Sequence, residues 1–282
     1  MPNLRYRIVN VFAESPLAGN PLCVFEDGSA LDGATMQALA LQFNLSETTF
    51  ILPASAEGAT AQVRIFTPGF EMPFAGHPTL GTAHVVRDLM HAGDAVKLQM
   101  LAGIVPVTAI ADVWTLKANA PRTHVPEVSR EDFARMLSLE ASAVLAGSLW
   151  VDTGSEQLII PLASADAVER CQPNPELLGR FSVGNKRKGL AYVWSRVDDT
   201  TIRARFFFTK YASLVEDPGT GSACANLGGW FIAHGEPLPL DVKVLQGDQV
   251  GRPCRLGLRV DSARNIFVSG RVIALGRGEI AL

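Results

Sequence analysis

Three side chains in this sequence, Glu47, His77 and Asp217, have the chemistry needed to move a proton on a small molecule. Glu47 stands in the segment NLSETTF, at the start of a run that predicts a strand entering the core. Burial raises the pKa of a carboxyl group, which suits a residue that must accept and return a proton near neutral pH. Glu47 is therefore a candidate general acid and base, although its local pattern taken alone is more typical of an ordinary solvated residue at a strand edge.

An internal repeat gives His77 and Asp217 a shared context. The segment HPTLGTA, residues 77–83, aligns without a gap on DPGTGSA, residues 217–223. Each segment follows an aromatic strand pattern and opens an apolar helix pattern. The match predicts a duplicated strand–loop–helix unit, and hence two pseudo-equivalent domains that face each other. It also predicts that His77 and Asp217 occupy the same position in the two repeats, where a donor and an acceptor could orient a substrate.

Both repeats predict helix starts that could bind an anion. A proline at the first helical position, followed by a Gly-Thr or Gly-Ser step, leaves backbone N–H groups accessible at the positive end of the helix dipole. Two such starts converging on a cleft would hold a carboxylate, and the hydroxyl group of Thr82 or Ser222 could add a donor. The alternative is that Gly76, Gly219 and Gly221 only serve tight turns.

Other classes of site lack support in the sequence. GTGSAC, residues 219–224, has neither the third glycine of a dinucleotide-binding motif nor the Gly-Lys-Ser/Thr ending of a phosphate-binding loop, so neither NAD nor ATP is expected. The four cysteines lie far apart without a CxxC pair, which predicts reduced thiols in the core and no zinc site. We expect no cofactor and no metal.

The elements that must position these residues follow from the apolar patterns. Strands are predicted at intervals through both halves, and helices are predicted to begin after Asp32, at Pro78, after Ser129 and near Ser222. Residues 118–128 contain two prolines and little periodicity, which predicts a linker. We therefore expect two domains, residues 1–120 and 121–282, with the last strand able to cross back to the first domain.

Composition limits the kind of partner. The 282 residues carry a formal net charge of −3, and their longest basic cluster is Lys186-Arg187-Lys188, which disfavours a nucleic-acid surface. The start of the sequence lacks the apolar segment of a signal peptide, and no apolar run reaches the roughly 18 residues that span a bilayer. We expect a soluble, cytoplasmic protein that acts on a small molecule.

The order of its motifs makes the sequence resemble the PhzF-like family of phenazine biosynthesis. The resemblance extends from about Tyr6 to Val272 and is carried by ordered motifs, namely VFAESPLAGNPLCVF, NLSETTFIL, FTPGFEMPFAGHPTLGTAHV, EDPGTGSACANLGGW and QGDQVGRP. The resemblance implies an α+β, diaminopimelate-epimerase-like fold. Such a fold has two pseudo-symmetric domains, each with a curved mixed β-sheet around a central helix, and the active site lies between them. It also implies a homodimer.

The resemblance implies roles for the candidate residues. In this family a glutamate takes a proton from one ring carbon of a dihydro-hydroxyanthranilate and returns it at another. Glu47 would be that acid and base, and His77 and Asp217 would position it and the polar groups of the substrate. Two further groups, the Ser222 hydroxyl and the backbone of Gly76 and Gly221, would hold the carboxylate.

Two other functions remain open from the sequence. Related epimerases and proline racemases use two cysteines, but this chain has Ala75 and Pro218 at the matching positions, and Cys224 lies a turn too deep in its helix to replace a thiol. Amino-acid racemisation on the same fold is therefore disfavoured but remains an alternative. The third possibility is a non-catalytic protein that binds a small metabolite in its cleft.

Overall fold

The computed structural model describes residues 3–210 and 213–282, which form two compact units. Unit 1 runs to Lys117 and includes Ser269–Leu282, whereas unit 2 is Ala118–Val268. The predicted linker, residues 118–128, lies in unit 2 and contains a short strand that hydrogen-bonds to a later one. The sequence did not predict this strand, because it forms through a pairing with a distant segment and not through a local pattern.

Unit 1 is strand-rich. Its two helices are α1 (Gly33–Phe43) and α2 (Gly76–Met90). Its strands are β1 (Asn3–Val11), β2 (Asn20–Phe25), β3 (Thr48–Leu52), β4 (Ala61–Phe66), β5 (Glu71–Met72), β6 (Ala95–Met100), β7 (Gly103–Ile110) and β8 (Val113–Lys117). The predicted cap of the first helix is confirmed, since the Asp32 side chain accepts a hydrogen bond from the backbone N–H of Thr35.

Within the described residues, unit 2 has the same number of strands as unit 1 and two additional helices. Its strands are β9 (Arg122–His124), β10 (Leu149–Asp152), β11 (Glu156–Pro161), β12 (Leu190–Asp198), β13 (Thr201–Lys210), β14 (Ser213–Asp217), β15 (Leu240–Gln246) and β16 (Cys254–Val260). Its helices are α3 (Arg130–Leu137), α4 (Ala165–Arg170), α5 (Pro175–Phe181) and α6 (Gly221–Ala233). The long last strand, β17 (Ile266–Ala281), begins in unit 2 and continues in unit 1.

The strand pairings of the two units follow the same order. In unit 1, β1–β2, β3–β4, β4–β5 and β6–β7 are antiparallel, and β2–β3 and β4–β6 are parallel. In unit 2, β10–β11, β12–β13, β13–β14 and β15–β16 are antiparallel, and β11–β12 and β13–β15 are parallel. In each unit, one helix lies between the short hairpin and the parallel return strand. The predicted duplication is therefore confirmed.

Helix α2 forms the centre of unit 1. The strand pairings continue from β7 through β8 and β17 back to β1, so the strands form a closed ring, and α2 contacts most of them. Leu80, Ala83, Val85 and Val86 of this helix are fully buried. A helix that is apolar on most of its faces needs such an enclosure, because each exposed apolar face would lose the free energy of burial.

The ring approaches α2 closely at Gly81. A Cβ atom at this position would lie 2.6 Å from Leu22 Cδ2 and 2.9 Å from Val11 Cγ2, well inside van der Waals contact. Gly228 of α6 has a similar role in unit 2, where a Cβ atom would lie 2.9 Å from Ile266 Cγ2.

In the described residues, no helix has the length and apolar character needed to cross a bilayer.

Replacing Gly81 by alanine should lower the free energy of unfolding by about 1–3 kcal/mol, because the added methyl group overpacks the contact with Leu22. The higher helix propensity of alanine, about 1 kcal/mol, offsets only part of this loss. Urea unfolding at neutral pH measures the difference. Gly179→Ala in α5 is the matched control, because a Cβ atom there meets nothing within 4 Å. A loss of the same size in both variants would contradict close packing at Gly81.

Candidate active site

The central helices begin at different points of the sequence repeat. α2 begins at Gly76, so His77 is its second residue, whereas α6 begins at Gly221, four residues after Asp217. Asp217 is the last residue of β14 and lies outside the helix. The prediction that His77 and Asp217 occupy equivalent positions is therefore wrong.

The structure instead matches the Pro-x-x-Gly segments 73–76 and 218–221. Each proline lies at a bend after the short hairpin, and the central helix begins three residues later. In this register the counterpart of His77 is Ser222, the second residue of α6. The two units therefore present different chemistry at the same place, an imidazole in unit 1 and a hydroxyl in unit 2.

The ungapped alignment of residues 77–83 with residues 217–223 gave the wrong register because it paired two glycines with different structural roles. Gly81 lies inside α2 and permits close packing, whereas the aligned Gly221 opens α6. The prolines also differ from the prediction, since Pro78 is the third residue of α2 and Pro218 precedes α6. Proline is tolerated throughout the first turn, where no intrahelical partner exists for its missing N–H.

The first turns of α2 and α6 have no side-chain cap. The preceding residues, Ala75 and Thr220, make no capping hydrogen bond to them. The other α-helices of the described residues are each capped by a side chain, and these caps are Asp32, Ser129, Ser164 and Asn174. No N-cap side chain therefore satisfies the first-turn N–H groups of α2 and α6, which lie at the positive end of the helix dipole, where an anion would be stabilised.

Glu47 immediately precedes β3, and the alternation of side chains along the strand places it on the face toward α2. Thr49, two residues further on the same face, hydrogen-bonds through Oγ1 to Oγ1 of Thr82 in α2 at 2.8 Å. Glu47 Oε2 lies 3.5 Å from His77 Nε2, with side-chain exposures of 15% and 6% respectively. The structure thus brings Glu47 and His77 together, nearly buried, at the start of α2.

His77 is neutral at physiological pH. Burial lowers the pKa of its imidazole from 6.5 to about 3, and a hydrogen bond with the backbone of Pro21 opposes only part of this shift. Because proline has no N–H, the ring must donate to the Pro21 carbonyl. The donor is Nδ1, since Nε2 has no hydrogen-bond partner among the described residues. Nε2 therefore presents a lone pair toward Glu47, and a hydrogen bond between the two needs a proton from the Glu47 carboxyl group.

Asp217 is held in a tight turn at the end of β14. Thr220 Oγ1 donates to its carboxylate, and Gln246 Nε2 donates to its backbone carbonyl at 2.9 Å and to Thr220 Oγ1 at 3.1 Å. Gly247 allows this approach: its φ is +82°, and a Cβ atom there would lie 2.4 Å from the carbonyl oxygen of Pro218. The turn therefore fixes Asp217 just before α6.

Ser222 is partly exposed and contacts a buried amide. Gln157 Nε2 in β11 donates a hydrogen bond to Ser222 Oγ at 2.8 Å. The structure therefore groups the predicted site residues within each unit, and these groups are Glu47, Gly76 and His77 at the start of α2, and Asp217, Gly221 and Ser222 at the start of α6. That the two groups act on one substrate remains a prediction.

Gln157 and Gln246 contact the predicted site residues but were not themselves predicted as such from the sequence. Both are almost fully buried, at 2% and 1% exposure. A polar side chain inside a buried strand must find a hydrogen-bond partner, because leaving it unpaired costs free energy. Gln157 begins the apolar segment QLIIP, and Gln246 ends the strand before Gly247. A glutamine in either position indicates a buried amide that needs a hydrogen-bond partner.

The cysteines do not supply a reactive group. All four are free and buried, as predicted. Burial raises the pKa of the Cys224 thiol, in the first turns of α6, well above its ordinary value. Cys224 therefore remains protonated at neutral pH and is a poor nucleophile or base.

Proteins of known sequence match this chain over nearly its whole length. The family described as phenazine biosynthesis-like protein matches residues 9–278. An uncharacterized isomerase from Pasteurella multocida is 40% identical over 98% of this chain and 93% of its own. The trans-2,3-dihydro-3-hydroxyanthranilate isomerase of Pseudomonas aeruginosa is 33% identical over 99% of both chains.

Solved structures support the fold. A PhzF-family phenazine biosynthesis protein from Bacillus anthracis covers 100% of both chains with a TM-score of 0.86 at 23% identity. A probable proline racemase from Agrobacterium radiobacter covers 99% of this chain and 93% of its own with a TM-score of 0.68 at 12% identity. The predicted α+β, diaminopimelate-epimerase-like fold is confirmed, and the family match and the relatives support an isomerase of the PhzF type. The chain belongs to the PhzF-like family of phenazine biosynthesis-like proteins.

Proposed function

We propose that this protein is an isomerase that moves a proton on a small, carboxylate-bearing metabolite, with Glu47 as the general acid and base. The observation that carries the proposal is the nearly buried contact between the Glu47 carboxyl group and a neutral His77 at 3.5 Å, beside an uncapped helix start. A single group that gives up and recovers one proton suits an isomerisation, because substrate and product contain the same atoms.

The neutral state of His77 defines its part in the reaction. Because Nδ1–H is used on the Pro21 carbonyl, the imidazole can accept a hydrogen bond from a protonated Glu47 and releases it when Glu47 gives its proton to the substrate. The imidazole thus holds Glu47 in one orientation while Glu47 carries the proton, between its removal from one carbon and its return at another. His77 is proposed to position Glu47 and does not need to carry the proton itself.

The substrate carboxylate is proposed to bind at the helix starts. The uncapped first turns beginning at Gly76 and Gly221 offer backbone N–H groups, and the Ser222 hydroxyl adds a donor. Asp217, fixed by Thr220 in the turn before α6, is proposed to accept a hydrogen bond from a polar substituent of the substrate. The substrate class follows from this polarity, with donors for the carboxylate and an acceptor for a hydroxyl or amino group.

The remaining parts of the proposal concern the setting. We propose that the reaction proceeds without a metal or cofactor, in the cytoplasm, and in a homodimer. Two-thiol racemisation is disfavoured because the residues directly before the two central helices are Ala75 and Thr220, and not Pro218 as the sequence match predicted. Neither side chain exchanges protons near neutral pH. Exchange of the α-proton of free amino acids in deuterated buffer would count for a racemase.

Glu47→Gln should lower turnover by roughly 10²–10⁴-fold while substrate binding survives, because the amide keeps the shape of the side chain but cannot transfer the proton. The assay follows trans-2,3-dihydro-3-hydroxyanthranilate, named for the relatives, together with a panel of small carboxylates for hydrogen–deuterium exchange. The exposed Glu57→Gln is the matched control and should retain full turnover. Retained turnover in Glu47→Gln would reject the mechanism. If the wild-type protein catalyses no exchange and Glu47→Gln binds the ligand as tightly as wild type, a metabolite-binding protein would be favoured.

Ser222→Ala should weaken binding of carboxylate substrates by about 1–3 kcal/mol, because it removes one charge-assisted hydrogen bond. The loss should appear mainly in KM and much less in kcat. Steady-state kinetics on any carboxylate that passes the exchange screen measures both constants. An unchanged KM would contradict the proposed role of the hydroxyl.

The lowered pKa of His77 predicts a pH dependence of stability. Between pH 6.5 and about 3, the unfolded chain binds a proton on this ring and the folded chain does not. The wild-type free energy of unfolding should therefore fall with decreasing pH by up to about 1.4 kcal/mol per unit more than that of His77→Gln. Urea unfolding at several pH values compares the slopes, with His91→Gln at the exposed end of α2 as the control. Parallel curves for wild type and His77→Gln would show that the ring is not held neutral by burial.

A further inference from the structure

Ser222 stands at the end of a chain of buried amide groups. Asn226, fully buried in α6, accepts hydrogen bonds at Oδ1 from the backbone N–H of Thr153 at 2.9 Å and from Thr153 Oγ1 at 2.7 Å. Its Nδ2 donates to the carbonyl oxygen of Ser155 at 2.7 Å and to Oε1 of Gln157. Gln157 Nε2 then donates to Ser222 Oγ at 2.8 Å.

The direction of this chain is fixed by the backbone. The N–H of Thr153 can only donate and the carbonyl of Ser155 can only accept, so these two groups determine which end of the Asn226 amide is oxygen and which is nitrogen. The nitrogen of Asn226 in turn requires the oxygen of Gln157 on its side. The nitrogen of Gln157 is therefore forced toward Ser222.

Ser222 Oγ thus receives a hydrogen bond from inside the unit. A serine hydroxyl has one hydrogen to donate, and with Gln157 as the inner donor that hydrogen is directed away from the amide chain. Without the inner donor, the hydroxyl could rotate and direct its hydrogen away from the ligand. A hydroxyl kept as a donor is what an anionic ligand needs, whereas an exposed lone pair would repel it.

We propose that Gln157 is a positioning residue that holds Ser222 as a hydrogen-bond donor and so makes this end of the site selective for a carboxylate. The inference rests on the proposed function, in which Ser222 contacts the substrate carboxylate. Gln157 contacts Ser222 and Asn226, and more distantly Ser155 Oγ at 3.5 Å, and acts through Ser222. Its effect is therefore expected in affinity for carboxylate ligands and not in the proton transfer at Glu47.

Gln157→Met removes the inner donor and keeps a side chain of similar length. The probe is 3-hydroxyanthranilate, the aromatic counterpart of the compound named for the relatives, and 2-aminophenol is the same molecule without the carboxylate. By calorimetry, Gln157→Met should weaken binding of 3-hydroxyanthranilate by about 3- to 10-fold, part of the loss expected for one hydrogen bond to a charged group, and leave 2-aminophenol binding unchanged. Gln37→Met, which removes an amide hydrogen bond to the Thr67 carbonyl at 2.8 Å in unit 1, is the matched control.

Coupling to Ser222 separates a positioning role from a structural one. Gln157→Met combined with Ser222→Ala should bind 3-hydroxyanthranilate no more weakly than Ser222→Ala alone. If Gln157→Met does not fold, Gln157→Glu keeps the acceptor for Asn226 but offers no donor to Ser222. Its loss of affinity should be larger with Ser222 present than in the Ser222→Ala background, where only charge repulsion remains.

Each outcome decides between the proposals. Equal losses for both ligands, or losses that add in the double variant, would overturn the positioning role of Gln157. Tight wild-type binding of 3-hydroxyanthranilate that Gln157→Met leaves unchanged would overturn this inference and leave the proposed function intact. A wild-type protein that binds 3-hydroxyanthranilate no better than 2-aminophenol would overturn the carboxylate site itself, and with it both proposals.

Discussion

The backbone N–H groups at the start of a helix have no partner within the helix and must find hydrogen-bond acceptors elsewhere. The rest of this site depends on which groups supply those acceptors. Four α-helices of the described residues satisfy it with a side chain from their own N-cap. The two central helices do not, because Ala75 and Thr220 provide no cap. We proposed above that the substrate carboxylate takes the place of the missing cap.

The enclosure of α2 by the strand ring determines the protonation state of His77. The strand ring of unit 1 packs closely against α2 through Gly81, and the same burial removes water from His77. Desolvation then keeps the imidazole neutral and leaves its Nε2 lone pair beside Glu47. Packing and acid–base chemistry are thus two effects of one arrangement, because a loosened ring would admit water to both.

Unit 2 fixes its functional groups with buried amides instead. Gln246 closes the turn that contains Asp217, and Gln157 contacts the Ser222 hydroxyl. An amide group has a donor end and an acceptor end, so a buried amide can impose a direction on the group that it contacts. The two units therefore use the same fold to control different properties, the protonation state in unit 1 and the direction of hydrogen bonds in unit 2.

Much of the fold could be predicted from local patterns. The apolar runs gave most strands, Asp32 and Ser129 were recognised as helix caps, and the repeated motifs indicated the duplication. The register of the repeat was wrong because letters alone do not distinguish a glycine that packs inside a helix, Gly81, from one that opens a helix, Gly221. The strand at Arg122–His124 was missed because its pairing partner lies far along the chain.

The sequence by itself determined the chemical inventory, with Glu47, His77, Asp217 and Ser222 standing in motifs specific enough to indicate the family. It could do so because the motifs are local and their order along the chain is preserved. Only the tertiary structure decided that His77 is neutral, that Ser222 is its counterpart, and that Gln157 and Gln246 hydrogen-bond to Ser222 and to the Asp217 carbonyl. Those properties arise from burial and from contacts between distant segments, which no local pattern of residues encodes.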